Sequence, residues 1–186
     1  LVTGLCIGAD DIHAAKKSEF VVDYNHYLTQ YNGAGGDVVI PEKLGVVGIS
    51  SKAFSGNKKI TSVTIPEGVE YICESAFGYC ENLTEVKLPN SLKVLESDAF
   101  GNSGLTQVNI PRKVKEIPAS CFWECKSLEK VVLSEGLEGI DAHAFESCSL
   151  KSVHIPDSVE YIGYGAFGKC EELEQISFTY KADIDK

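Results

Sequence analysis

The chain repeats one phrase six times, about every 23 residues, and a period of that length restricts it to folds built by stacking. Ala-Phe or its equivalent ends at Phe54, Phe77, Phe100, Phe122, Phe145 and Phe167, separated by 23, 23, 22, 23 and 22 residues. A second phrase, an aliphatic residue then Pro, recurs at Ile40-Pro41, Ile65-Pro66, Leu88-Pro89, Ile110-Pro111 and Ile155-Pro156, with Leu133-Ser134 as the variant. Units this short cannot each enclose a core. They bury apolar surface only against their neighbours, as the coils of a solenoid do.

Each position in the unit has a physical role. Val86 and Leu88 sit two apart, which places both side chains on one face of a strand. The same pair recurs as Val63/Ile65, Val108/Ile110, Val131/Leu133, Val153/Ile155 and Ile176/Phe178. Pro then ends the strand by removing a ladder donor. A second apolar pair follows at i, i+3: Val46/Ile49, Val69/Ile72, Leu92/Leu95, Val114/Ile117, Leu137/Ile140 and Val159/Ile162. Five residues later comes the Phe, preceded by a small residue: Ala53, Ala76, Ala99, Cys121, Ala144 or Ala166. Small beside large, repeated coil over coil, fills a narrow interior without voids. The two 22-residue units have each lost one residue between the Phe and the next aliphatic position (Phe100 to Leu105, Phe145 to Leu150), and the opening unit carries two extra around Glu42-Lys43-Leu44-Gly45. These changes fall in turns, where the core columns are expected to survive them.

The frame Leu83-x-x-Val86-x-Leu88, followed by Pro, Val-x-x-Ile and Ala-Phe-x-x-Cys, resembles the BspA-like (type 5) leucine-rich repeat family of bacterial and protozoan surface proteins. The resemblance covers residues 20 to 178 and implies a mostly β solenoid: a right-handed superhelix of about six 22–23-residue coils with short helical turns. Phe20–Tyr24 and Tyr27–Tyr31, joined at Asn25-His26, read as a hairpin capping the first coil's open edge. The expected organisation is an N-terminal segment over 1–19, with a short capped helix from Asp10 to Lys17; a capping hairpin and first strand over 20–41; repeats over 42–178; and a tail over 179–186. Ile176 and Phe178 begin a seventh unit, so the tail reads either as an end cap or as a boundary in a longer protein. Without a Met anywhere, the chain reads as a processed or excised product, with any signal peptide or anchor outside it.

A formal net charge of −10 argues against a nucleic-acid partner. No run of 18 apolar residues occurs, so no membrane-spanning helix is expected. Of seven Cys, four (Cys80, Cys125, Cys148, Cys170) occupy one repeat column three residues after the Phe. Parallel side chains in such a ladder are poorly aimed for disulfides. Buried free thiols acting as small apolar fillers are the favoured reading, with disulfides the alternative. Cys121-x-x-x-Cys125 lacks a second pair at zinc spacing. Asp141-Ala-His143 could be a base and its orienter, but other units carry polar residues in the same turn (Glu74-Ser75, Ser97-Asp98), so a solvated loop is the plainer reading. No catalytic residue, cofactor or metal is expected.

Recognition is expected on the outward residues of the main strand: Ser62/Thr64, Glu85/Lys87, Gln107/Asn109, Lys130/Val132, Ser152/His154 and Gln175/Ser177. These should stack into two columns. They contain no Trp, Tyr, Phe or Arg, the usual interface anchors, so a merely solvated sheet is the competing reading. Seven strands about 4.8 Å apart and four residues across give a strip of about 400 Å², half the roughly 800 Å² per partner of a standard interface. Tyr71 and Tyr161 mark a second edge but lie four coils apart. The family resemblance implies a monomeric, non-catalytic module, secreted or at the cell surface, that binds a host or microbial surface protein, an extracellular matrix protein or a glycan. A structural spacer without a ligand of its own is the alternative.

Overall fold

The computed structural model describes residues 19–178; the expected helix from Asp10 to Lys17 and the tail from Thr179 lie outside the described residues. The polypeptide winds as a β-solenoid whose coils each place one strand on a main face and a shorter strand on a second face. The main-face strands are β3 (Gly36–Val39), β5 (Ile60–Thr64), β7 (Glu85–Lys87), β9 (Gln107–Asn109), β11 (Lys130–Val132), β13 (Ser152–Ile155) and β15 (Gln175–Phe178). The second-face strands are β2 (Tyr27–Tyr31), β4 (Gly48–Ile49), β6 (Tyr71–Ile72), β8 (Val94–Leu95), β10 (Glu116–Ile117), β12 (Gly139–Ile140) and β14 (Tyr161–Ile162). Pairing between coils is parallel throughout. β1 (Phe20–Val22) folds back antiparallel on β2, so a hairpin covers the first edge of the second face.

The interior is one file of rings. Phe20, Tyr31, Phe54, Phe77, Phe100, Phe122, Phe145 and Phe167 follow one another at centroid spacings of 4.7 to 5.5 Å. The cap thus continues the repeat's own column with Tyr31 and Phe20. Four thiols make a parallel column: Cys80, Cys125, Cys148 and Cys170 each donate to the carbonyl of the Phe one coil back, at 3.1 Å. All six described cysteines are free. Burial pushes the thiols of Cys80 and Cys125 up to about 11 and those of Cys121 and Cys148 upward as well, so they stay neutral and behave as small apolar filler.

The bend around each Ala-Phe has a fixed conformation. Two residues before the Phe the backbone is left-handed (Lys52, Ser75, Asp98, Ser120, His143, Gly165), and two residues after it again (Gly56, Tyr79, Asn102, Glu124, Ser147, Lys169). Single helical turns form between these points, such as Gly78 N–H to Ser75 O, each preceded by a turn through the left-handed residue, such as Ala76 N–H to Cys73 O. Positive φ on either side keeps them from joining into a helix. The alternation also points successive N–H groups toward the next coil: Lys52, Phe54 and Gly56 donate to Glu74, Ala76 and Gly78. This turn track is a third ladder beside the two sheets. The extra residues of the opening unit are absorbed in a 3-10 turn, Glu42–Leu44, closed by left-handed Gly45.

The lost residues of the two short units do more than alter a turn. The core columns survive, but the main sheet divides into β3-β5-β7, β9-β11 and β13-β15. Each division falls immediately after a shortened link, before the strands that follow Leu105 and Leu150. Val86 and Val131, the core residues on the strands just before the two gaps, are 8% and 7% exposed, against 2% for Val108 and Val153 just after them and 1% for Val63 inside the first sheet. The second face also divides between β8 and β10. There Pro118 occupies the position from which Cys73, Glu96, Asp141 and Gly163 donate to the previous coil, and Pro has no N–H to give. Between the third and fourth coils both sheets are therefore interrupted.

Candidate ligand-binding face

Every outward residue expected to form the recognition surface lies on a main-face strand. In register, Ser62 faces Glu85 and Thr64 faces Lys87; Gln107 faces Lys130 and Asn109 faces Val132; Ser152 faces Gln175 and His154 faces Ser177. The sheet divisions make these three panels rather than two unbroken columns. Asp37 and Val39 of β3 extend the first panel, paired with Ser62 and Thr64. The signal for them was present, since Val38 and Ile40 are the same i, i+2 pair before Pro41. Asp37 Oδ1 accepts from Thr61 Oγ1 at 3.0 Å and Ser62 Oγ at 2.8 Å, which ties down the polar groups of that corner. In the third panel, His154 Nδ1 lies 3.0 Å from Ser177 Oγ.

The middle of the face is different. Between β7 and β9 is a cavity of about 450 Å³ bordered by Glu85, Lys87, Asn90, Gln107, Asn109 and Arg112. Asn90 is already engaged by the Glu67 carboxylate through its N–H at 2.9 Å and its Nδ2 at 3.2 Å. Among the described residues, the side chains of Glu85, Lys87, Gln107, Asn109 and Arg112 have no hydrogen bond or ion pair within the chain. Several lysines elsewhere are committed, Lys58 to Glu81, Lys93 to Glu70, Lys115 to Glu138, Lys151 to Glu129 and Lys169 to Glu146, while Lys43, Lys52, Lys59, Lys113 and Lys130 have no ion pair among the described residues. Sequence reasoning missed Arg112 because it follows the strand, beyond the alternating positions.

The tyrosine edge resolves into two separate arrangements. Tyr71 and Tyr27 stack at 6.3 Å on either side of Gly48, whose missing side chain leaves room for the Tyr27 ring. Tyr161 lies over Gly139 in another sheet, and its hydrogen bond to Glu116 pushes its phenol up to about 12.

The remaining candidate chemistry does not assemble. Asp141 Oδ1 accepts from Ala142 N–H at 2.7 Å rather than orienting His143. His143 instead faces Glu146 at 2.7 Å, and Lys169 holds the other oxygen of that carboxylate at 2.6 Å. Cys125 lies 3.3 Å from Ser103 Oγ and donates to Phe100 O. Among the described residues no group of His, Cys, Asp and Glu is placed to hold a metal, and no helix is long and apolar enough to cross a membrane.

Three comparisons place this geometry among known proteins. The family described as BspA type leucine rich repeat region matches residues 47–178 in six copies. A leucine-rich repeat protein of Treponema pallidum (T. pallidum) has a similar structure, with a TM-score of 0.82 and 29% identity over 88% of this chain and 81% of that one. A leucine-rich cell surface protein of Faecalibacterium prausnitzii matches with a TM-score of 0.67 and 25% identity, over 94% of this chain and 56% of that one. The pneumococcal vaccine antigen PcpA shares the fold, with a TM-score of 0.62 at 19% identity over 91% of this chain and 50% of that one. Comparison with curated proteins returns no match.

Proposed function

The chain belongs to the BspA-type leucine-rich repeat proteins, and on that premise we propose that it is a non-catalytic binding module, secreted or displayed at a cell surface, that engages a protein or glycan through its main face. The observation that carries this reading is the group of uncommitted polar side chains around the cavity between β7 and β9. The cell-surface description of the F. prausnitzii neighbour supports the location. A strip of about 400 Å² gives weak attachment per copy, so useful adhesion comes from many copies on one surface.

Immobilised matrix proteins, surface proteins and glycans, presented to the chain at physiological salt, test the proposal. Saturable binding is expected to at least one, and replacing Lys87, Asn109 and His154 together by Ala should abolish it. Lack of saturable binding to any of them, or binding indifferent to the triple change, favours the second reading, a structural spacer. The specific observation on that side is that no aromatic side chain stands among the predicted recognition columns.

A further inference from the structure

The cavity between β7 and β9 arises from a defined cause. The link from Phe100 to Leu105 is one residue short, β9 is not drawn up against β7, and the first sheet ends there. Thr106 N–H still reaches Thr84 O at 3.2 Å at the entrance to the two strands. Past that point the strands remain neighbours without pairing, and the cavity occupies the space over the division.

Its chemistry selects a ligand class. Lys87 and Arg112 supply two cations against the single carboxylate of Glu85, leaving one net positive charge. Arg112 is the only arginine in the chain and is free to bind a carboxylate with a two-pronged contact. A doubly charged phosphate ester would exceed that charge and meet Glu85; a carboxylate or a singly charged sulfate ester would be balanced, and of these the planar carboxylate is the one that matches the flat guanidinium fork. Glu85, Gln107 and Asn109 offer acceptors and amide donors, the partners hydroxyl groups need. An acidic peptide side chain would occupy the cations but leave those groups facing water, and the lining offers no aromatic anchor for a protein surface. The volume, about 450 Å³, is in the range of small-molecule sites.

Resting on the reading of the main face as a binding surface, we propose that this cavity takes a sugar-acid residue of an anionic glycan. Its carboxylate would lie between Lys87 and Arg112, and its hydroxyls would lie against Glu85, Gln107 and Asn109.

Titration of the 186-residue chain with D-glucuronate, D-glucose and Nα-acetyl-L-glutamate amide, followed by amide NMR shifts, tests this directly. Glucuronate is expected to bind saturably with shifts centred on β7 and β9. Lys87→Gln and Arg112→Gln, both at exposed positions, should each weaken it by about tenfold or more while the rest of the spectrum is retained. Glucose should bind far more weakly. Equal binding of glucose, equal binding of the acetylated glutamate, an unchanged response in both variants, or no saturable response to glucuronate would each overturn the assignment. Equal binding of the acetylated glutamate would assign the cavity to an acidic peptide. If the chain binds an immobilised surface partner yet ignores glucuronate, the face remains a binding surface and only this assignment falls.

Discussion

The coils before and after Phe100 are made from the same core columns, yet they are not joined in the same way. From the cap to β7 and β8, each coil is bonded to the next along both sheets and along the turn track. At the junction with the fourth coil neither sheet ladder continues; the turn track does, with Asp98, Phe100 and Asn102 donating to Ala119, Cys121 and Trp123, and beside it only Gly104 and Thr106 N–H still reach Cys80 and Thr84. The Phe100–Phe122 spacing there, 5.5 Å, is the longest in the ring file. Beyond it the second sheet resumes, but the main sheet divides once more before β13. A solenoid's stability is roughly a sum of unit terms and nearest-neighbour terms. Interrupting both sheet ladders at one interface therefore makes it the place where the molecule divides, and leaves the cavity between β7 and β9.

The largest expected effect comes from attacking the core at that interface. Phe100→Ala should cost about 3–5 kcal/mol and separate urea unfolding into two steps, one for each half. Phe77→Ala should cost a similar amount without separating them; identical transition shapes for the two variants would break the contrast. Next is Gly104, which the shortened link presses against its neighbour: a Cβ there would sit 2.3 Å from Glu81 O. Gly104→Ala should lose about 1–3 kcal/mol, read from the denaturation midpoint. Restoring the 23-residue period by adding one residue between Ser103 and Gly104 should act in the opposite direction. Closing the main ladder adds a few hydrogen bonds of about 1 kcal/mol each, for a net gain of about 1–2 kcal/mol once the longer link is ordered. The same change should fill the cavity and abolish its ligand binding.

The smallest effect lies on the continuous side. Glu67 accepts from the backbone of Asn90 and Ser91 in the next coil, and the Asn90 N–H bond is foremost in holding its carboxyl below the usual range. A depressed folded-state value contributes stability above the unfolded value, and that contribution is lost as pH falls through the folded one. Glu67→Gln should therefore lower stability above that window, leave it little changed below, and so flatten the loss on acidification. Thermal melts across that window would show it.

The core was legible because repetition multiplies a weak signal. One Val-x-Leu pair could sit in many folds, but six in phase with Ala-Phe fix which residues stack, and the ring file and thiol column follow from that register. The hairpin cap was legible from the turn at Asn25-His26. The bonding between coils was harder to read. A single missing residue after Phe100 or Phe145 leaves every core column intact, and whether the strands still reach each other depends on how the turn takes up the deficit in three dimensions. Pro118 carried a plain signal, a lost donor in a ladder position, that the run of strand-ending prolines obscured. Of the proposed recognition surface, the alternating residues were readable from strand spacing, while Arg112 joins the proposal only through the shape of the gap.

Hydrogen exchange of the backbone amides is the most direct test of the claim that the stack divides between its third and fourth coils. Amides that donate between coils before the junction, such as Ile65, Lys93 and Glu96, should exchange slowly and together. Those after it, such as Ile110 and Asp141, should form a second group with its own protection. The amides of β9 that face β7 should be the least protected in the main sheet. A single uniform protection level from β5 through β13, with β7 and β9 as slow as the rest, would contradict the account.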